Sequence, residues 1–134
     1  MNSGQTSKTV DVLLAEARAL LPDRPSASEA YALAAAGALL IDIRGDDQRR
    51  RDGLIPGALV LARNSLEWRC DPTSPWHDAA IHDHDQHIVL ICDEGFGSSL
   101  AAANLQQLGM HRATDVQGGF QAWRAAGLPV APLD

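Results

Sequence analysis

A single α/β domain built on a parallel sheet is the fold class this sequence predicts, and three features carry the prediction. Short apolar, β-branched runs at residues 38–43, 58–61, 87–91 and 113–116 alternate with alanine- and leucine-rich stretches of helical period. Several of these runs end in a charged or reactive residue, as at Asp42, Arg44 and Cys92, which is the edge where ligands gather in an open α/β sheet. The 134 residues, 46% hydrophobic and 21% charged, suffice for one sizeable core and not two. No repeat, low-complexity tract or linker divides them, and such alternation places helices on both faces of the sheet.

Residues 1–8 are polar and expected to fray. Thr9 is the expected N-cap of a helix over residues 10–21, with Val10, Leu13, Leu14, Ala17 and Leu21 along one face, ended by Pro22 and Pro25. Ser26 and Glu29 have capping-box spacing, and the alanine-rich run behind them stops at Gly37. After the first strand, residues 45–52 form a short charged helix, and the Gly53-Leu-Ile-Pro-Gly57 turn leads to the second strand. Asn64 is expected to cap a short helix through Leu66-Glu-Trp-Arg69, followed by an irregular loop at residues 71–75. The third strand ends at Cys92, and Ser98 or Ser99 is expected to cap a helix over residues 100–108 that stops at Gly109. A fourth strand, a Gly118-Gly119 turn and a helix over residues 120–126 close the chain. Residues 1–25 therefore read as an N-terminal extension with one amphipathic helix, and residues 26–134 as the domain proper.

Eleven basic against seventeen acidic residues leave a formal charge of −6, which argues against nonspecific attraction to nucleic acid or anionic membrane. No apolar run reaches membrane-spanning length, and the first ten residues lack a secretory pattern, so a cytoplasmic location is expected. Cys70 and Cys92 lie in unlike surroundings and outside any Cys-x-x-Cys pair, which disfavours a structural disulfide or a thioredoxin-like couple. Cys70 is expected to pack against Trp68, and Trp76 and Trp123 to anchor core or loops.

Cys92 has the setting of a nucleophile. Gly95 and Gly97 free the following turn to aim several N–H groups at one spot, at the start of a helix. A thiolate in such a ring of amides is stabilised relative to the thiol and reacts as an anion near neutral pH. Phe96, between two glycines, is expected to wall the entrance. His82, His84 and His87, with His77 nearby, have loose spacing interleaved with Asp83 and Asp85, so no metal site is expected.

Four stretches, Leu40-Ile-Asp-Ile-Arg44, Gly53-Leu-Ile-Pro-Gly-Ala58, the loop after Cys92 and Gly118-Gly-Phe-Gln-Ala-Trp123, fall in one order, and together they resemble the single-domain rhodaneses over residues 26–130. The resemblance implies a three-layer domain whose central parallel sheet has five strands. It also implies a sulfurtransferase in which Cys92 is the catalytic residue and holds a persulfide. Asp93, Glu94, Gly95, Phe96, Gly97, Ser98 and Ser99 then form the substrate loop, Arg44 and Arg63 are candidates to supply positive charge, and Asp42 is a structural residue beneath the site. No cofactor is implied. The partners it implies are a small-molecule sulfur donor and a thiol or cyanide-like acceptor, with a sulfur-relay protein as a further candidate.

Two departures bear on the donor. The family's loop commonly ends in an arginine or another anion-binding residue where this chain has Gly97, and Asp93 and Glu94 directly follow the nucleophile, disfavouring an anionic donor. A persulfide is thus expected in preference to thiosulfate. Leu54 also stands where many such chains carry histidine. A phosphatase or arsenate reductase would need an arginine at Gly97 or Ser98 to clamp its oxyanion, and neither is one. A binding or redox-sensing module without turnover is the alternative that keeps the cysteine.

Overall fold

The computed structural model describes residues 7–133. Of the stretch expected to fray, residues 1–6 lie outside that range, while Lys8 pairs with Glu16. Helices α1 (Val10–Ala19) and α2 (Ala27–Ala35) start where their caps predict. The Thr9 side chain accepts from the Val12 amide, and Ser26 and Glu29 form the reciprocal capping box. Strand β1 (Leu39–Asp42), helix α3 (Asp46–Asp52) and strand β2 (Leu59–Val60) follow. A 3₁₀ turn at Arg63–Ser65 then enters α4 (Leu66–Cys70), so Asn64 lies inside the turn instead of capping the helix. The rest of the order is β3 (Ile88–Ile91), α5 (Gly97–Gln107), β4 (Thr114–Asp115) and α6 (Gly119–Ala125).

The sheet is parallel throughout, in the order β2-β1-β3-β4. Alternate residues of its central strands feed two cores. Ile41, Ile88 and Leu90 pack with Leu66, Cys70, Ala102 and Leu105 on the α4–α5 face, while Leu40, Val89 and Ile91 pack with Ala30, Phe120 and Trp123 on the α2–α6 face. Both faces are covered, as the alternation of strands and helices predicts. Among the described residues, no helix is long and apolar enough to cross a membrane.

The expected fifth strand does not form; the sheet of the described residues has four. The segment beside β4 is Pro22–Ser26, whose two prolines have no N–H to donate. It is held by its carbonyls instead: Pro22 and Asp23 accept from the Thr114 hydroxyl, and Pro25 accepts from the Gln117 amide. At the other side of the molecule, Leu54 and Ala131 make only an isolated antiparallel bridge.

Candidate active site

Strand register decides which side chains meet. Asp42 pairs with Ile91, and Leu90 with Asp115, so Arg44, Cys92 and Asp115 emerge at one carboxyl edge. The chain leaves β1 toward β2 on one side and β3 toward β4 on the other, and Cys92 stands at this reversal, where an open α/β sheet has its crevice.

Cys92 is half-buried. The amides of Gly95 and Ser98 donate to Sγ at 3.1 and 3.4 Å, and the thiol donates to Ser98 Oγ at 3.2 Å. Among the described residues, the amides of Glu94, Phe96 and Gly97 have no protein acceptor, so they remain available to a bound atom. The loop is clasped from behind by the start of α6: the Phe120 and Gln121 amides donate to the carbonyls of Cys92 (2.8 Å) and Asp93 (3.0 Å). Gly119 makes this approach possible, since at φ +59° a Cβ there would lie 2.6 Å from the Cys92 oxygen.

Ser98 and Ser99 do not cap the helix. Helix α5 begins earlier, after Phe96, and has no side-chain cap. Both hydroxyls are buried and donate to Oδ2 of Asp115 at 2.7 Å each. Asp115 also receives Arg24, through Nε to Oδ1 at 2.6 Å and Nη2 to Oδ2 at 3.2 Å. Arg18 of α1 donates to Ser99 Oγ at 3.0 Å and to the Gly95 carbonyl at 2.8 Å.

An open pocket of about 240 Å³ adjoins the sulfur, lined among others by Arg44, Gln48, Asp93, Glu94, Phe96 and Gly97. Phe96 is 56% exposed and lines this pocket. Arg44 is 2% exposed and engaged below it. Its guanidinium bonds both oxygens of Asp42 (Nη2 to Oδ2 2.7 Å), donates to the Gly53 carbonyl (2.8 Å) and stacks 3.8 Å from the Phe120 ring. Only Nη1 has no partner among the described residues. Arg63 lies elsewhere: it pairs with Glu67 at 3.0 Å, which also accepts from Asn104, and it does not line the pocket.

Cys70 is sealed in the core, and burial pushes its thiol up to about 12. Trp68 does not cover it; Trp68 and Trp76 are both largely exposed, contrary to the anchoring expected of Trp76, whereas Trp123 is buried with its Nε1 donating to Pro129. Among the described residues, no group of three His, Cys, Asp or Glu side chains is arranged to hold a metal ion. The sequence reading did not single out Asp115, Arg24 or Arg18. A carboxylate ending a short buried strand, as Asp42 does, was the signal available for Asp115; the arginines reach their partners across 71 or more positions of chain, and no local pattern marks them.

The family model for the rhodanese-like domain matches residues 26–126. A thiosulfate sulfurtransferase GlpE of Ectopseudomonas mendocina is 35% identical over 103 residues, covering 76% of this chain and 84% of the relative. Among solved structures, a protein of unknown function from Rhodopseudomonas palustris, named as a possible tyrosine phosphatase, superposes with TM-score 0.83 at 31% identity, covering 98% of this chain and 100% of the other. The polysulfide-sulfur transferase homodimer of Wolinella succinogenes shares the fold, with TM-score 0.72 at 21% identity over 92% of this chain and 88% of the other.

Proposed function

Since this chain belongs to the rhodanese-like family, we propose that it is a sulfurtransferase in which Cys92 carries the sulfur and a persulfide is the preferred donor. The observation that carries this reading is the sulfur itself, half-buried, hydrogen-bonded by the Gly95 and Ser98 amides and open to a pocket. The Cys92 thiolate attacks the sulfane sulfur of the donor, one S–S bond forms as the donor's breaks, and the donor leaves as a thiolate. An acceptor thiolate or cyanide then takes the outer sulfur and regenerates Cys92, with no net redox change. A sulfur-relay protein can fill the acceptor role by the same chemistry. The terminal persulfide sulfur is an anion displaced one bond outward, where the unpartnered amides of Glu94, Phe96 and Gly97 can receive it.

The donor preference follows from charge. Glu94, which has no ion-pair partner among the described residues, and Asp93, 3.5 Å from Arg51, line the pocket, no arginine occupies position 97, and the Arg44 guanidinium is neutralised by Asp42. A dianion such as thiosulfate meets repulsion there, although the GlpE relatives are named for thiosulfate. The same charges oppose a phosphate ester. The neighbour named as a possible tyrosine phosphatase makes that activity worth assaying, but this loop has no guanidinium to hold phosphoryl oxygens at Gly97 or Ser98.

Intact-mass measurement on wild type and Cys92→Ala, before and after exposure to cysteamine persulfide, whose ammonium leaves it without net negative charge, is the test. The expected result is a gain of one sulfur only when Cys92 is present, lost again on adding an acceptor thiol. A persulfide that forms but is not passed on would support a redox-sensing module, and turnover that is fastest with thiosulfate would overturn the donor preference.

A further inference from the structure

We propose that Arg18 and Arg24, both outside the residues the family model matches, are positioning residues of the Cys92 loop, so that the N-terminal extension is part of the active site. Two separate contacts carry the inference, one to a carbonyl and one to a charge.

The carbonyl is that of Gly95. It accepts from Arg18 Nη2 at 2.8 Å and more weakly from Arg24 Nη2 at 3.4 Å, while the Ser99 hydroxyl, 3.3 Å away, gives its one proton to Asp115. No peptide bond of the described residues is cis, and in a planar trans peptide the N–H points opposite to the C=O. Holding the Gly95 oxygen toward the arginines therefore directs the Phe96 N–H away from them, and that amide has no protein acceptor among the described residues. The orientation needs φ +88° at Gly95, where a Cβ would lie 2.8 Å from the Gly118 nitrogen. Side chains on α1 and the following loop thus set the aim of an amide in the ring.

The charge is that of Asp115. Its carboxylate is one hydroxyl away from the nucleophile, through Ser98 Oγ at 2.7 Å on one side and 3.2 Å on the other. Ser98 has a single hydroxyl proton. With Cys92 as a thiol, the sulfur donates to Ser98 and Ser98 donates to Asp115. With Cys92 as a thiolate, both neighbours are anions that compete for that proton. Asp115 can release it because Ser99 and the two nitrogens of Arg24 still hold its oxygens. Without Arg24, a buried carboxylate beside the sulfur would oppose its ionisation. The other charges around the loop are Asp93 and Glu94 in it, Arg51 of α3 on Asp93 at 3.5 Å, and the self-neutralising Asp42–Arg44 pair at the end of β1. None of these touches Asp115.

The inference rests on Cys92 being the nucleophile but not on sulfur transfer, and its test needs no sulfur donor. The rate of Cys92 alkylation by iodoacetamide is followed by peptide mass against pH, in parallel with thermal melting. Arg24→Ala is expected to move the profile to higher pH and slow alkylation at neutral pH by about tenfold, and Asp115→Asn in the same chain to restore the rate to within about threefold. Arg18→Ala is expected to slow it about threefold, with recovery in Arg18→Lys. If Arg24→Ala does not fold, Arg24→Lys, which keeps the charge, is expected to hold the wild-type profile to within about threefold. Folded Arg24→Ala and Arg18→Ala proteins that melt lower yet give the wild-type profile would overturn the proposal, as would failure of Asp115→Asn to rescue. Wild type that alkylates as expected but takes up no sulfur would instead remove the sulfurtransferase reading and leave this one standing.

Discussion

At position 44 the chain buries a guanidinium and its counterion only two residues apart, with side-chain exposures of 0% and 1%. Such a pair is easier to break than to replace. Arg44→Ala leaves the Asp42 carboxylate unpaired at the end of β1, and we expect a loss of about 3–5 kcal/mol in urea unfolding; Asp42→Asn with Arg44→Met, removing both charges, should recover most of it. If the double variant is no more stable than Arg44→Ala, the guanidinium matters through its stacking on Phe120 more than through its charge. The two cysteines offer a second contrast at this scale. With its thiol held near 12 by burial, Cys70 should stay unmodified in native protein at neutral pH, so iodoacetamide should add a single group, at Cys92, and a second only after unfolding. Two adducts on folded protein would show that the α4–α5 core opens readily.

Helices α3 and α6 frame the cysteine loop, and their contacts make the loop's shape a property of elements as well as residues. Gly119→Ala drives a Cβ to 2.6 Å from the Cys92 oxygen and 2.7 Å from the Gly95 nitrogen, so α6 must back away. We expect a loss of about 3 kcal/mol, together with slower alkylation of Cys92. Stability with unchanged reactivity would show that the clasp does not shape the ring. Asp52 joins α3 to α6. Its hydrogen bond from Arg51, with further contributions from Gln121 and Arg124, draws its carboxyl down to about 2. A folded-state value below the unfolded one, about 3.9, contributes stability that is full above the unfolded value and is lost as pH falls through about 2. Asp52→Asn should therefore melt below wild type at pH 7, with the gap closing between pH 4 and pH 2; a constant gap would assign the effect to packing. Elements of this kind were legible in the sequence because their signals are local: Thr9, Ser26 and Glu29 cap what they precede, and alternation in Ile88-Val-Leu-Ile91 supplies both cores. Ser98 and Ser99 misled for the same reason. Two serines before an apolar run look like a cap, and only a carboxylate 16 and 17 positions away shows that their hydroxyls face inward. The fifth strand came from the family resemblance alone: the apolar runs of the sequence number four, and the sheet is built from those four.

For the molecule as a whole, the donor question is one of field against local structure. A net charge of −6 surrounds a pocket in which Asp93 and Glu94 are the nearest loop charges, while Arg44 is cancelled by Asp42 and Arg63 is spent on Glu67. Salt separates the two scales. Raising sodium chloride from about 0.01 M to 0.15 M shortens the screening length from roughly 30 Å to 8 Å, which removes the long-range part of the repulsion and leaves contacts at the pocket largely intact. For thiosulfate, a dianion, kcat/KM should rise about two- to fivefold over that range. An organic trisulfide without net charge should show almost no change, and Glu94→Gln should raise the thiosulfate value at both salt concentrations, since that carboxylate acts at contact range. A thiosulfate rate that falls with salt would mean that the anion is drawn in by positive charge, and the preference for persulfide would have to be given up.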